Sequence, residues 1–258
     1  MEQEAPAPSP TPSQTPAEVT SVAPEVTTRA SENLLDPQHN LQEPTTFGMH
    51  MPGIVDTVPA TPGTRTIALT FDACNGEYDA ALIATLRQYR VPATLFLAQP
   101  WIEAHPQIAR ELIADPLFLV ANHGTRHLPL TVRGQAAYGI HGTASPAEAI
   151  AEIEGNARLL RDLGADPTWF RAGTAHYDDV AVRMANDAGY KIGGFTVNGD
   201  FGATSTPELV ANQIMTAPDG AIVLAHMNHP HSGTAAGVAH ALEVMRGERF
   251  VLIDARVP

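Results

Sequence analysis

From about residue 64 onward, short apolar runs alternate with longer segments whose apolar residues recur every three or four positions. This alternation of strand and helix patterns predicts parallel strands with helices packed outside them. The seven predicted strands are residues 67–71, 93–98, 117–121, 168–172, 191–197, 221–226 and 250–253. Helices are expected at residues 79–89, 101–114, 145–164, 178–188, 207–216 and 235–246.

The predicted strands are apolar on both faces, as strands are when a barrel closes or when helices cover both sides of a sheet. Seven strands within the last 190 or so residues suit a small (β/α) barrel in the α/β class. An open doubly wound sheet is the alternative. The turn DACNGE after the first predicted strand has one glycine, too few for the phosphate-binding loop of such a sheet.

The segment SPAEAIAEIEGNARLLRDLG, residues 145–164, carries the clearest helix signals. Ser145 suits the N-cap, Pro146 the first helical position, and Glu148 the partner in a capping box, whereas Gly164 suits the C-terminal stop. The spacing of its apolar residues places them on one helix face.

The first 46 residues are rich in Pro, Ala, Ser, Thr and Glu, as in APAPSPTPSQTPAEV. Such a composition buries too little apolar surface to offset the entropy of ordering the chain, so we expect a disordered tether at residues 1–46. A structured arm over residues 34–58 is the alternative. A single domain is expected at residues 47–258.

The net charge is −13, and residues 1–63 contribute eight acidic residues and one arginine to it. The chain has no basic stripe of the kind that binds nucleic acid, and no apolar run long enough to span a membrane. No signal peptide is visible at the start, but a Pro/Ser/Thr-rich tether is typical of exported proteins. We therefore expect an exported bacterial protein, periplasmic, surface-bound or secreted, held to membrane or cell wall by the tether, and a monomer.

Ionisable residues fall where the predicted strands end. Because the carboxyl ends of parallel strands form one rim, where active sites are built, these residues should converge on one pocket. A single histidine at a strand end is more often structural, but buried charges need partners, and six such residues are hard to assign to packing alone. They are Asp72, His123, His127, Arg171, Asp200 and His226.

In NHGTRH, two histidines lie four residues apart, so a helical turn would place both imidazoles within reach of one cation. The pattern HxxxH is weak in isolation, and its position after an apolar strand adds to its weight. A catalytic zinc site uses about three protein ligands, so His123 and His127 need a third.

Five segments, TFDA, NHGTRH, FRAGTAHY, VNGDF and VLAH, resemble in their order the motifs of the NodB-homology polysaccharide deacetylases, carbohydrate esterase family 4. The resemblance covers roughly residues 64–258. It implies a distorted (β/α)7 barrel and the removal of N- or O-acetyl groups from a polysaccharide. It also implies a divalent metal, with zinc the first choice and cobalt or another divalent ion as alternatives.

Carried over by position, the resemblance assigns catalytic roles to four residues. Asp72 matches the general base and His226 the general acid. Arg171 matches the arginine that orients the base, and Asp200 matches an aspartate that holds this arginine.

The resemblance also assigns metal and substrate residues. His123 and His127 match the metal-binding histidines, and Asp72 is taken as a further ligand. In the family, a backbone N–H of the third motif stabilises the oxyanion, and Tyr177 is our choice for it. Leu224, in the motif L-x-H that ends at His226, is expected to contact substrate.

The chain departs from this pattern at Ala73, where the family has a second aspartate that binds the metal. Three repairs are conceivable: Asp72 binds the metal as well as acting as base, Cys74 or Asn75 supplies a ligand, or two histidines and waters suffice. A thiolate at Cys74 would favour zinc. We interpret Cys74 instead as a small, half-buried residue packing behind the strand end.

Several residues lie outside these motifs. We expect His240 on a helix surface, His229 in a groove, and residues 128–144 as a loop long enough to cover a substrate, with His141 on its surface.

The predicted function is thus metal-dependent deacetylation of an N-acetylated glycan, with peptidoglycan or a chitin-like polymer as first choice. The main rival is a non-catalytic glycan-binding or cell-wall protein with a degenerate metal site, and a cytosolic amidohydrolase acting on a small C–N substrate is a third possibility. Retention of Asp72, Arg171, Asp200 and His226 together favours the enzyme.

Overall fold

The structure is a computed structural model, and it describes residues 42–60 and 62–255. All seven predicted strands have counterparts, although the pairing is shorter than predicted at residues 168–172 and 250–253. In chain order the strands are β1 (Phe47–Gly48), β2 (Ile54–Val55), β3 (Thr66–Ala73), β4 (Ala93–Leu97), β5 (Phe118–Asn122), β6 (Ala136–Ala137), β7 (Ile140–His141), β8 (Trp169–Phe170), β9 (Tyr177–Asp178), β10 (Lys191–Gly193), β11 (Val197–Asn198), β12 (Ala221–His226) and β13 (Arg249–Phe250).

The helices also follow the prediction, with one division. The predicted helix 101–114 is two helices that meet at His105, because Pro106 has no N–H to continue the first helix and instead begins the second. The helices are α1 (Ala80–Tyr89), α2 (Gln99–Ala104), α3 (Pro106–Ala114), α4 (Pro146–Asp162), α5 (Asp179–Asp187), α6 (Pro207–Met215) and α7 (Thr234–Val244).

Helix α4 begins as its sequence signals predict. The hydroxyl of Ser145 accepts a hydrogen bond from the Glu148 N–H at 3.2 Å, and the Glu148 carboxylate accepts one from the Ala144 N–H at 3.0 Å. The helix ends before Gly164, whose φ of +98° lies in the region that favours glycine. This long helix lies beside β5 and so reaches the loop that follows that strand.

The main sheet is parallel and curls on itself. Its order is β11-β12-β3-β4-β5-β8-β10-β2, with β13 beside the start of β3. The predicted strand 191–197 is divided: its first part pairs with β8 and its last part with β12, at the other end of the order. One stretch of chain therefore joins the two ends of the sheet, which gives the distorted barrel predicted from the sequence.

The two faces of β3 show how the sequence builds this barrel. Ile67, Leu69 and Phe71 point outward into an apolar core shared with the helices, whereas Ala68 belongs to the core inside the barrel. Since successive side chains of a strand alternate between its faces, Asp72 is directed to the inside. The strand thus delivers a carboxylate to the inner end of the barrel.

Residues 42–60 form a segment packed on the barrel, which we call the N-terminal arm. Its strand β2 pairs with β10, Thr57 forms a bridge with Ala221, and the Val58 N–H donates to the Gly220 carbonyl at 2.9 Å. The arm thereby fills the gap where residues 191–198 cross from one side of the barrel to the other. Of the structured-arm alternative, the structure describes residues 42–58, and these are packed on the domain.

The arm begins before the predicted domain boundary at residue 47. The backbone N–H groups of Thr45 and Thr46 donate to the Asp179 carboxylate at 2.9 and 3.1 Å, at the start of α5. Residues 42–46, assigned to the tether from their composition, therefore contact the domain. The prediction of a disordered tether for residues 1–41 lies outside the described residues.

Within the described part of the chain, the helices are too short or too polar to cross a lipid bilayer.

Candidate active site

The carboxyl ends of β3, β5 and β12, with the loops after β8 and β11, surround a cavity of about 460 Å³, which we call the rim cavity. Of the six polar strand-end residues predicted to converge, four line it directly: Asp72, His123, His127 and His226. The other two, Arg171 and Asp200, lie buried behind them. Further lining residues are Met49, Cys74, Tyr138, Ile140, Thr174, Ala175, Phe195, Asn198, Phe201, Gly202 and Leu224.

Arg171 is completely buried and is held on all sides. Its Nη1 donates to Asp72 Oδ1 at 2.7 Å and to Thr70 Oγ1 at 2.9 Å. Its Nε and Nη2 donate to the carbonyls of Gly193 and Gly194, both at 2.9 Å. The guanidinium is thereby satisfied and fixed, and it fixes Asp72 in turn.

The Asp72 carboxylate stays charged in this setting. Burial alone would raise its pKa, but the Arg171 guanidinium, helped by His123 and His226, brings the pKa below its ordinary value. A charged, oriented carboxylate at the cavity wall can accept a proton at neutral pH.

On the adjacent strand β12, His226 lies beside Asp72 and is paired with Asp200. Its Nδ1 lies 2.8 Å from Asp200 Oδ1, and its backbone N–H donates to Oδ2 at 2.7 Å. The Thr234 hydroxyl also donates to Oδ2, at 2.8 Å. The bond at Nδ1 leaves Nε2 of the imidazole directed toward the cavity.

The pairing of Asp200 with His226 corrects one prediction, in which Asp200 was to hold Arg171. After β11 the chain turns toward β12, where the Gly199 N–H donates to the Leu224 carbonyl at 2.7 Å, so Asp200 reaches the end of β12 and not that of β8. Arg171 is satisfied instead by the two glycine carbonyls where β10 ends.

The pKa of His226 is shifted upward. Burial alone would lower it, but the Asp200 carboxylate, the Cys74 sulfur and the Asp72 carboxylate together raise it well above the ordinary histidine value. The imidazole can therefore carry a proton at neutral pH and give it to a group in the cavity.

The backbone carbonyl of Arg171 orients the ring of His123. Its Nδ1 lies 2.8 Å from the Arg171 carbonyl oxygen, to which it can only donate, so Nε2 is the free nitrogen that faces the cavity. Nε2 lies 3.6 Å from both the Cys74 Sγ and the Asp72 Oδ2. A histidine whose second nitrogen donates to a carbonyl is the usual arrangement of a metal ligand.

Glu152 of α4 supports the turn that carries the two histidines, a role that our sequence analysis missed. Its buried carboxylate accepts the backbone N–H groups of Arg126 and Leu128 at 3.0 to 3.2 Å, on either side of His127. Burial raises the pKa of Glu152, whereas these N–H groups oppose that rise. An acidic residue on the face of the helix that also carries Ala149 and Ile153 was the available signal.

One group among the described residues has the donor types and spacing of a metal site. It consists of Cys74, His123 and His127, whose ligand atoms all lie within 4.8 Å of one another. A thiolate and two imidazoles suit zinc, so the residues present fit a divalent metal. Asp72, predicted as a ligand, is outside this group, and Cys74 faces the cavity, so the interpretation that it packs behind the strand was wrong.

Tyr177 does not line the rim cavity, contrary to the choice of its N–H for the oxyanion. Its ring is fully buried, and its hydroxyl accepts a hydrogen bond from the Ala172 N–H at 2.8 Å. Thr174 and Ala175 line the cavity in its place. Thr174 follows Arg171 by three residues, whereas Tyr177 follows Arg171 by six. The turn is tight: a side chain at Gly173 would meet the His127 carbonyl oxygen at 2.1 Å.

The remaining predicted residues divide between the rim and the surface. Leu224 lines the rim cavity. His229 lines a second, neighbouring hollow of about 320 Å³, whereas His240 and His141 are exposed and lie outside the rim cavity. The loop 128–144 forms the hairpin β6–β7 and presents Tyr138, whose exposed fraction is 78%, at the mouth of the cavity.

A curled parallel barrel with a charged carboxylate and a paired histidine at one cavity is an arrangement suited to a hydrolase. The sequence model of the polysaccharide deacetylase family matches residues 60–193, and the chain belongs to this family. The family predicted from the motifs is thereby confirmed.

Two curated relatives carry more specific names. The chitooligosaccharide deacetylase of Bradyrhizobium sp. (strain ANU 289) is 27% identical over 172 residues, which are 65% of this chain and 73% of the relative. The peptidoglycan-N-acetylglucosamine deacetylase of Bacillus cereus is 24% identical over 197 residues, 74% of this chain and 87% of the relative.

Solved structures confirm the fold. A family 4 carbohydrate esterase from Bacillus subtilis superposes with a TM-score of 0.63 at 19% identity, covering 78% of this chain and 83% of its own. A family 4 pseudoenzyme from Bacillus anthracis gives 0.62 at 24% identity, covering 75% of this chain and 65% of its own. The neighbours therefore include both an esterase and a pseudoenzyme.

Proposed function

We propose that this protein is a metal-dependent hydrolase that removes acetyl groups from an N-acetylated glycan of the peptidoglycan or chitin type. One observation carries the proposal: a charged carboxylate, Asp72, and a protonated imidazole, His226, face one cavity, each fixed by a buried partner of opposite charge. A protein that only bound glycan would have no need of an oriented base beside an oriented acid.

Asp72 serves as the general base. Arg171 occupies Oδ1 and keeps the carboxylate charged, so the carboxylate can take a proton from a water molecule that attacks the acetyl carbonyl. This attack forms the new C–O bond and places negative charge on the carbonyl oxygen.

His226 serves as the general acid. Amide cleavage stalls unless the departing nitrogen is protonated, and His226 Nε2 can supply that proton while Asp200 stabilises the imidazolium through Nδ1. The C–N bond breaks, and the products are acetate and a free amine on the sugar.

A divalent metal completes the site, and the types of donor atom present favour zinc. When bound, it polarises the acetyl carbonyl and lowers the pKa of water. His123 and His127 are the ligands common to the sequence prediction and to the structure's cluster, and the third ligand is considered below.

Thr174 is placed to contact the reacting group. Its Oγ1 is buried and has no hydrogen-bond partner among the described residues, although the residue lines the rim cavity. An unpaired buried hydroxyl costs about 1–3 kcal/mol unless a ligand satisfies it. We assign Thr174 to the acetyl oxygen, in the role first given to Tyr177.

The shape and lining of the cavity support a sugar substrate. Apart from the catalytic groups the walls are largely apolar, and two exposed aromatic rings, Tyr138 and Phe201, lie at the mouth. Such a lining, with a few placed polar groups, suits the binding of a ring whose faces are apolar and whose edges are polar. The two relatives named above, both deacetylases by name, support N-acetylglucosamine polymers as the substrate.

A non-catalytic glycan-binding protein is the second candidate, and Ala73 favours it. The position is alanine where the family has a metal-binding aspartate, and the Bacillus anthracis neighbour shows that this fold also occurs as a pseudoenzyme. Under both candidate functions, we expect the protein to be exported, attached through the tether and monomeric.

The test is acetate release by the full chain, loaded with zinc or cobalt, from chitooligosaccharides, peptidoglycan and acetylated xylan. We expect release from the first two at rates well above those of the metal-depleted protein. Binding of any of these glycans without acetate release, with either metal, would favour the non-catalytic candidate. Release from xylan alone would overturn the choice of an N-acetylated substrate.

A further inference from the structure

The last two residues of β3 and the residue that follows the strand alternate between two faces. Asp72 and Cys74 are two positions apart and both line the rim cavity, whereas Ala73 between them is completely buried in the core that joins the sheet to the helices. This is the alternation that a strand imposes on its side chains. Here the position after Asp72 faces the apolar core, and the next position faces the site.

The distances around Cys74 suit a shared metal ion. Bonds of about 2.3 Å to sulfur and about 2.0 Å to nitrogen, at a tetrahedral angle, put the two ligand atoms about 3.5 Å apart. The Cys74 Sγ and the His123 Nε2 lie 3.6 Å apart, and His127 completes a group within 4.8 Å. The rings of the two histidines are 4.8 Å apart between centroids, so the two imidazoles are direct neighbours.

Asp72 is less suited to the role of ligand. Its Oδ1 is bonded to Arg171 at 2.7 Å, and the carboxylate does not belong to the clustered ligand atoms. A base that also binds the metal would share its electrons with the ion and accept a proton less readily. The geometry separates the two tasks: Asp72 is held by Arg171 at the cavity wall, and Cys74 lies beside the histidines.

We propose that Cys74, as a thiolate, is the third protein ligand of the metal with His123 and His127, in place of the carboxylate missing at position 73. Binding converts the thiol to a metal-bound thiolate, and its proton is released to solvent. The proposal deepens the proposed function, since it names the ligands of the same site, but it makes a claim about metal binding that does not require turnover.

Cobalt(II) provides a direct test. A thiolate bound to cobalt gives a near-ultraviolet charge-transfer absorption that imidazole and carboxylate ligands do not give. Because Cys74 is the only cysteine of the chain, such a band can arise only from this residue. We expect the band from the wild-type full chain with one equivalent of cobalt, and its absence from Cys74→Ser.

Zinc affinity, measured by competition with a chromophoric chelator, gives the second readout. We expect Cys74→Ser to weaken zinc binding by more than about 100-fold, beyond what loss of a supporting partner usually costs. Asp72→Asn serves as the matched variant, and it should keep the cobalt band and bind zinc as the wild type does. Circular dichroism of both variants shows whether each is folded.

Three results would overturn the proposal. The first is stoichiometric cobalt binding by the wild type without the band, and the second is a folded Cys74→Ser with wild-type zinc affinity. The third is acetate release by metal-free protein that iodoacetamide stops, which would make Cys74 a nucleophile beside His226 and Asp200. A cobalt band without acetate release from any glycan would leave this ligand set standing and refute the proposed hydrolase.

Discussion

At the scale of single residues, the site contains two ion pairs. In each pair a buried charged residue fixes the side chain that faces the rim cavity. Arg171 fixes Asp72, and Asp200 fixes His226. Each pair leaves one side of Asp72 or His226 open to the rim cavity. The arrangement holds a base in its charged form and an acid in its protonated form at the same pH.

Replacing Asp200 by asparagine tests the second pair. Asp200 raises the pKa of His226, so its removal should lower that pKa. The acid form of His226 is lost as pH rises through its pKa, and the alkaline limb of the kcat/KM profile should therefore move to lower pH. We expect activity near neutrality to fall by about 10²–10⁴-fold.

Thr234→Val is a suitable control for that measurement, since it removes one hydrogen bond to Asp200 without removing its charge. It should shift the alkaline limb far less. An Asp200→Asn enzyme with an unchanged pH profile would show that Asp200 does not act through His226.

Some features of single residues could be predicted from the sequence, and others could not. Cys74 directly follows β3, and continuing the alternation of that strand by one residue places positions 72 and 74 on one face, so the inward direction of Cys74 could have been predicted. The partner of Asp200 could not, because it depends on which way the chain turns after Asn198. Sequence motifs identify residue types at a rim, but they do not state which neighbours share a hydrogen bond.

At the scale of elements, α4 positions the two histidines that we propose as metal ligands. Glu152 holds the backbone on both sides of His127, which itself has a φ of +60°, a conformation that is rare for residues other than glycine. Asn156, one turn further along, donates to Asn122 at 2.8 Å at the base of the same turn. The helix therefore fixes a strained turn through polar contacts that its apolar spacing does not reveal.

Glu152→Gln should weaken this support, because an amide presents one acceptor oxygen where the carboxylate presents two. We expect zinc affinity to fall by about 10–100-fold, as is usual when a supporting partner of a metal ligand is lost. The chelator competition described above measures it.

Glu154→Gln is the matched control on the same helix. Glu154 bonds to Tyr190 and Arg161, away from the rim cavity, so this variant should keep wild-type zinc affinity. Equal zinc affinities of the Glu152→Gln variant and the wild type would contradict the positioning role.

At the scale of the whole molecule, the barrel is completed by the N-terminal arm. The alternating apolar runs predicted a small barrel, whereas the division of residues 191–197 between the two sides of the sheet was not predicted. The arm could not be predicted, because β1 and β2 are two residues each and lie in a segment without clear apolar periodicity. Its stability comes from barrel contacts distant in sequence, such as those with β10 and Gly220.

Two truncations test the arm. A chain that starts at residue 42 should keep the thermal stability of the full chain's domain, whereas one that starts at residue 62 leaves the gap beside β10 open. We expect the shorter chain to lose several kcal/mol of unfolding free energy, since it lacks Val58 and exposes the inner core that Val58 covers, at about 25 cal/mol per Å² of apolar surface. Urea unfolding measures the difference, and equal stability of the two chains would refute the role of the arm.

The central claim is that Asp72 and His226 act as base and acid in the hydrolysis of an N-acetylated glycan. The most direct measurement compares acetate release from one chitooligosaccharide by the zinc-loaded wild type and by zinc-loaded Asp72→Asn. We predict measurable turnover by the wild type and a fall in kcat of about 10²–10⁴-fold in the variant, with zinc still bound. No release by the wild type, or a variant whose kcat matches that of the wild type, would contradict the claim.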